Sequence, residues 1–398
     1  MIRINEHFTE VEKSYLFTEI NQRVQKFHKQ HPDADLIKLG IGDVTLPLPG
    51  VIVEALKNAS AEMGKAETFR GYGPEQGYPF LREAIAKRDF TSRGLAIQAD
   101  EIFVSDGAKS DMGNFLDILD SGLKVLVADP VYPVYVDTNI MQANQVKRLP
   151  CRAEHNFLPV PPDEPADLIY ICSPNNPTGA VMDKETLTAW VNYALEHHAL
   201  ILFDAAYEAF IQNDAPHSIY EIDRADEVAV EMRSFSKFAG FTGVRCGYTV
   251  VPHKVKAADS KGELHALAPF WLRRQTTKFN GVSYIVQRGA EAAYSDEGYE
   301  ACMQNIRYYL KNAEILKAGC RSIGLDASGG DNAPYVWLKT PGDLSSWAFF
   351  DKLLAEAHLV TTPGSGFGEA GEGYIRLSAF GSREDCEEAI SRLKDLKL

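Results

Sequence analysis

A chain of 398 residues, 45% hydrophobic and 24% charged, is too long for one ordinary core and reads as a folded protein of two or three domains. Its 41 basic residues face 55 acidic ones, a net charge of −14. That balance disfavours nucleic acid and anionic membrane as partners but leaves small anionic substrates open, because a buried site sets its own local field. The six cysteines are scattered, with no Cys-x-x-Cys and no metal-like spacing with histidine, so reduced thiols and no metal site are expected. No apolar run of signal-peptide length follows Met1, and no stretch approaches the ~18 apolar residues that span a bilayer. A soluble cytoplasmic or organelle-stroma protein is expected.

In chain order, apolar runs alternate with amphipathic ones from about Glu101 to Pro252. Strands are predicted at Glu101–Ser105, Lys124–Asp129, Asp167–Cys172, Ala199–Asp204, Val228–Arg233 and Cys246–Val251. Helical patterns lie between them at Lys109–Leu119, Tyr135–Gln142 and Asp183–Glu196. Strands apolar on both faces and separated by helices predict an α/β fold with a mostly parallel sheet covered on each side. Pro159 to Pro165 reads as a connector. From Pro269 to about Ser322 the pattern is one long helical tract. The remainder, with Tyr335–Lys339, Tyr374–Ser378 and a closing helix from Arg383, reads as a smaller α+β domain.

The polar residues that stand out fall just past the carboxyl ends of these strands, where open α/β sheets bind ligands. Ser234-Phe-Ser-Lys237, running on to Arg245, sets a lysine eight residues before an arginine with hydroxyls and glycines around them. Such a lysine can condense with a cofactor aldehyde, while Ser234, Ser236 and Arg245 can hold its phosphate. Asp106-Gly107-Ala108-Lys109 joins a strand to a helix, so backbone N–H groups there can face an anion. Upstream lie Asn176 in Ser173-Pro-Asn-Asn-Pro-Thr-Gly179, and Asp204 with Tyr207 in Leu202-Phe-Asp-Ala-Ala-Tyr207. An ordered set of Asn, Asp, Tyr, Lys and Arg is hard to obtain by accident. Pro363-Gly-Ser-Gly-Phe-Gly368 lacks the Lys-Ser/Thr of a phosphate loop and reads as a backbone turn.

Over nearly the whole chain these residues resemble the fold type I pyridoxal-phosphate enzymes of the aspartate aminotransferase superfamily. The resemblance implies pyridoxal 5'-phosphate bound covalently at Lys237, with Asp204 on the ring nitrogen, Tyr207 and Asn176 on the ring oxygen, and Tyr132 on the ring face. Ala108, Lys109, Ser234, Ser236 and Arg245 would hold the phosphate, and Arg376 in Tyr374-Ile-Arg-Leu-Ser378 the substrate α-carboxylate. It also implies an N-terminal arm and part of the small domain at 1–45, a large domain at 46–285 and a small C-terminal domain at 286–398.

Narrower motifs are Tyr15-Leu-Phe17, Gly40-Ile-Gly-Asp43, Arg70-Gly-Tyr-Gly-Pro-Glu-Gln-Gly77, Ser105-Asp-Gly-Ala-Lys109 and Thr277-Lys-Phe-Asn-Gly281. Together they resemble the LL-diaminopimelate aminotransferase family. That resemblance implies a homodimer with active sites shared between subunits. Tyr72 would reach the neighbour's phosphate site, and Glu75 and Asn280 its substrate, joined by Tyr15, Gly42, Lys109 and Tyr132. A carboxylate such as Glu75 can read a distal ammonium, while Lys109 and Asn280 can bind a distal carboxylate. Other aminotransferases of the same fold, and carbon–sulfur lyases, are the alternatives. A cofactor-binding regulator would carry an extra DNA-binding segment, which this sequence lacks.

Overall fold

The structure is a computed structural model and describes residues 2–11 and 16–396. Its centre is a seven-stranded sheet: β1 (Ile102–Ser105), β2 (Lys124–Asp129), β3 (Gln145–Pro150), β4 (Leu168–Cys172), β5 (Leu200–Asp204), β6 (Ala229–Ser234) and β7 (Gly247–Val250). The spatial order is β1-β7-β6-β5-β4-β2-β3, and only β7 runs antiparallel to its neighbours. Alternate residues feed two apolar layers. Leu126, Ile169, Ile171, Ile201 and Phe203 join one cluster; Val125, Val127, Tyr170 and Leu202 join the other. Both faces are therefore buried, as the continuous apolar runs require.

The predicted strands appear within one or two residues of their expected ends. β3 was not expected. It is an edge strand whose Gln145, Lys147 and Arg148 face solvent, so it carries no apolar run.

The long helical tract resolves into helices at Leu267–Lys278, Tyr284–Ala292 and Asp296–Ser322. Ser283 and Ser295 start the second and third: their hydroxyls accept from the Val286 and Gly298 amides at 3.3 and 3.0 Å. Each such cap is worth about 1 kcal/mol.

A second sheet of β8 (Ala327–Gly329), β9 (Tyr335–Lys339), β10 (Thr362–Pro363) and β11 (Tyr374–Ser378) is antiparallel in the order β8-β9-β11-β10. Val336, Leu338, Ile375 and Leu377 turn one face toward the helices Asp296–Ser322 and Arg383–Lys394. Tyr335, Trp337, Tyr374 and Arg376 take the opposite face, and Trp337 pairs with Arg376 across the strands. The short strand Ile37–Lys38 pairs with Leu359–Val360, bringing residues 40–43 to this second face.

Candidate active site

A cavity of about 470 Å³ lies at the carboxyl edge of the large sheet, closed on its far side by Tyr335 and Arg376 of the small one. Asp204 and Ser234 are the last residues of β5 and β6, and Asn176 follows β4 by four residues. The parallel strands thus deliver their polar ends to one place.

At one end of the cavity stand Ala108, Lys109, Ser234, Ser236 and Arg245. Ser234 Oγ accepts from the Ser236 amide at 3.1 Å, which starts the short helix carrying Lys237. Arg245 Nη1 donates to Ser236 Oγ at 3.1 Å. Its backbone sits at φ +70°, a left-handed conformation that costs a non-glycine residue about 1 kcal/mol or more. Gly107 is needed opposite. Its φ is +140°, and a Cβ there would stand 2.5 Å from Arg245 Nη2. Two hydroxyls and a guanidinium make an anion cradle.

Asp204 occupies the middle of the floor and is 8% exposed. Its carboxylate accepts from Tyr135 Oη at 2.5 Å and from the Ala206 amide at 2.9 Å. Burial raises its pKa above the usual carboxylate range, against the Tyr135 hydrogen bond. Among the described residues no cation pairs with it. Tyr207 Oη shares a 2.7 Å hydrogen bond with Tyr335 Oη, and burial pushes both phenols up. Tyr132 lines the wall edge-on to Tyr135, with Lys109 Nζ 6.0 Å from its ring centre.

Lys237 projects into the same space, its Nζ donating to the Gly42 carbonyl. Burial lowers the amine to about 8; Asp43 opposes the shift, while Arg376 and Arg245 add to it. An amine so placed is neutral far more often than a surface lysine, which is the condition for nucleophilic attack on a carbonyl. Gly42 has no room for a side chain, since a Cβ would lie 2.6 Å from Tyr335 Oη.

Arg376 is 1% exposed. It donates from Nη1 to Asn176 Oδ1 at 2.6 Å and from Nη2 to the Gly40 carbonyl at 2.8 Å, and Nε has no hydrogen-bond partner. Its guanidinium lies 4.4 Å above the Tyr335 ring. No carboxylate among the described residues pairs with it. The cavity therefore sets a buried carboxyl and a buried guanidinium, neither with an ion-pair partner among the described residues, around one lysine. Uncompensated buried charges are costly, and ligands of opposite charge are the usual reason they persist.

The structure brings together Gly42, Ala108, Lys109, Tyr132, Asn176, Asp204, Tyr207, Ser234, Ser236, Lys237, Arg245 and Arg376. It does not bring Tyr72, Glu75 or Asn280 to this chain's cavity. Tyr72 is 92% exposed, and Gly281 packs on the backbone of Pro74 and Glu75, joining the two segments on the surface. Tyr15 lies outside the described residues. Sequence reasoning missed Tyr135, Tyr335 and Asp43. Tyr135 stands three residues after Tyr132, a helical spacing that could have signalled a shared direction.

A family profile described as "Aminotransferase class I and II" matches residues 34–393. The chain is 54% identical to the LL-diaminopimelate aminotransferase of Phocaeicola vulgatus, over 99% of both chains. It is 55% identical to the enzyme of the same name from Bacteroides fragilis, over 99% of this chain and all of that one. Among solved structures, L,L-diaminopimelate aminotransferase from Chlamydomonas reinhardtii superposes with a TM-score of 0.92 at 44% identity, covering 99% of this chain and 98% of that one.

Proposed function

The chain belongs to the class I and II aminotransferases, and from that premise we propose that it transfers the amino group of glutamate to tetrahydrodipicolinate. The products are LL-diaminopimelate and 2-oxoglutarate, the reaction is reversible, and pyridoxal 5'-phosphate is the cofactor. The observation that supports this reading most is a buried carboxyl and a buried guanidinium, Asp204 and Arg376, without ion-pair partners among the described residues and lining one cavity with Lys237. A ligand with a protonated ring nitrogen answers the first, and an amino-acid carboxylate answers the second.

The residues fit the cofactor. Ser234, Ser236 and Arg245, with the backbone at Ala108 and Lys109, hold its phosphate. Asp204, fixed by Tyr135, would keep the ring nitrogen protonated, Tyr207 and the amide of Asn176 would bond the ring oxygen, and Tyr132 would cover the ring face. Bound in this way, the cofactor supplies an electron sink for the pair released when the substrate Cα loses its proton. Lys237 would hold the cofactor between turnovers, and its free amine would take the proton from the substrate Cα and return it. Arg376, with Asn176 on its Nη1, clamps the α-carboxylate so that the Cα proton faces the amine.

The substrate assignment is supported by the names of relatives more than half identical over full length. We assign the distal end of the substrate to Tyr15, Gly42, Lys109 and Tyr132, with Glu75 and Asn280 entering from a second subunit of a homodimer, where Tyr72 completes the phosphate site. The surface position of these last three supports that arrangement. No helix among the described residues is long and apolar enough to cross a membrane. The six free, buried thiols support a reducing compartment, the cytoplasm.

Purified protein loaded with pyridoxal phosphate and given L-glutamate without an acceptor should lose the visible absorbance of its cofactor and release 2-oxoglutarate in equal amount. Retained absorbance with no keto acid formed would contradict the aminotransferase reading.

A further inference from the structure

Behind the cavity lies a buried charge cluster that the catalytic reading leaves unused. Its centre is Arg233, 3% exposed, on β6 immediately before Ser234. Nε donates to Glu231 at 2.6 Å and Nη2 to the His217 carbonyl at 2.9 Å. Nη1 makes an ion pair with Glu208 at 3.2 Å, without a hydrogen bond, and lies 3.9 Å from Asp89. Three carboxylates thus converge on one guanidinium. Of the other basic groups nearby, His217 Nδ1 stands 2.9 Å from Glu208, and Arg93 3.9 Å from it.

The cluster is braced on every side. Glu231 is fully buried and accepts from Ser218 Oγ at 2.6 Å and the Ile219 amide at 3.0 Å. Asp89 accepts from both Tyr248 Oη and Tyr294 Oη at 2.5 Å. Asp89 reaches this position from a single π-helical turn, Ala86–Phe90, a feature found often at functional sites.

The connectivity matters more than the charge count. Glu208 follows Tyr207, and Arg233 precedes Ser234, so their ion pair clamps the segment ending in Tyr207 to the segment ending in Lys237. A small cavity of about 20 Å³ runs from Asp89, Glu208 and Arg233 to Ala206 and Ser234. Buried pairs of this kind add little to stability over apolar packing, but the hydrogen bonds of Nε and Nη2 hold the guanidinium so that Nη1 faces Glu208.

We propose that Arg233 is a positioning residue: through Glu208 it sets the placement of Tyr207 relative to the Ser234–Lys237 turn, and so the alignment of the amine in the transamination read above. It does not line the active-site cavity. Lysine at this position keeps the charge but loses the fork that spans Glu231, Glu208 and the His217 carbonyl. Glu208→Gln keeps the shape and removes the charge from one end of the clamp.

The test compares wild type with Arg233→Lys and Glu208→Gln by steady-state kinetics, and by the pH dependence of Lys237 acylation in the apoprotein, read by mass spectrometry. For Arg233→Lys the expected result is a fall in kcat of about tenfold or more with KM within about twofold. The apparent Lys237 pKa should rise by about one unit as the loosened turn admits water. Glu208→Gln should shift both readouts in the same direction by less, so a poorly folded Arg233→Lys leaves the proposal open to refutation. Folded variants with wild-type kcat and an unmoved acylation profile would overturn it, even with a lowered Tm. If the wild type shows no transamination, the function reading fails, while the acylation profile still decides this one.

Discussion

Lys237→Ala is expected to abolish measurable turnover, a loss of at least about 10⁴-fold, because in the proposed reaction one side chain serves both as covalent anchor and as proton carrier. The protein remains folded. The side chain makes one hydrogen bond, to the Gly42 carbonyl, and is surrounded by cavity rather than core. Its visible cofactor spectrum is lost with the activity, and a variant that retained that spectrum would show that another lysine is the anchor.

The depressed amine gives a second readout for the same residue. Covalent capture of pyridoxal phosphate by the wild-type apoprotein is expected to rise with pH and level off above about 8, the value to which burial lowers the Lys237 amine. Between there and the ordinary lysine value near 10.4 the folded chain binds fewer protons than the unfolded one at this position. The group's contribution to stability therefore increases with pH across that window and is least favourable below it. A capture rate still climbing at pH 10 would contradict the depressed value.

Asp204→Asn has the next largest effect. The asparagine keeps the shape and can still meet Tyr135 and the Ala206 amide, so folding survives. It cannot neutralise a protonated ring. Removing one member of a buried charge pair costs about 3–5 kcal/mol, and each 1.36 kcal/mol is tenfold in rate. The expected loss in kcat is on the order of 10²–10⁴-fold, with cofactor still bound. Asp204→Glu restores part of it only if the longer acid can reach the same atom. Tyr135→Phe, which loosens Asp204 without removing its charge, falls between the two. Near-wild-type kcat in folded, cofactor-loaded Asp204→Asn would mean that the carboxylate does not serve the ring.

Much of this was legible in the sequence because the signals were local. Strands such as Lys124–Asp129 and Tyr335–Lys339 announce themselves as apolar runs, and Asp204 and Lys237 stand at or just beyond the ends of two more. Edge strand Gln145–Pro150 was hidden because one exposed side leaves it polar. The three helices of 267–322 merged because their breaks are short and rest on serine caps rather than on proline.

The site was less legible where partners are distant in sequence. Tyr135 reaches Asp204 across 69 residues, and Tyr335 reaches Tyr207 across 128. Neither pairing has a local pattern. That Arg376 lacks a carboxylate partner among the described residues is a property of the folded cavity alone. Tyr72, Glu75 and Asn280 came only from the family resemblance, and no periodicity marks them.

The most direct test is glutamate formation by purified enzyme from 2-oxoglutarate and LL-diaminopimelate, with meso-diaminopimelate, aspartate, alanine and phenylalanine as parallel donors. Turnover with the LL isomer is expected to be at least about tenfold above every other donor, as a site reading both a distal ammonium and a distal carboxylate requires. Equal or faster turnover with aspartate or phenylalanine would leave the cofactor chemistry standing and contradict the assigned substrate.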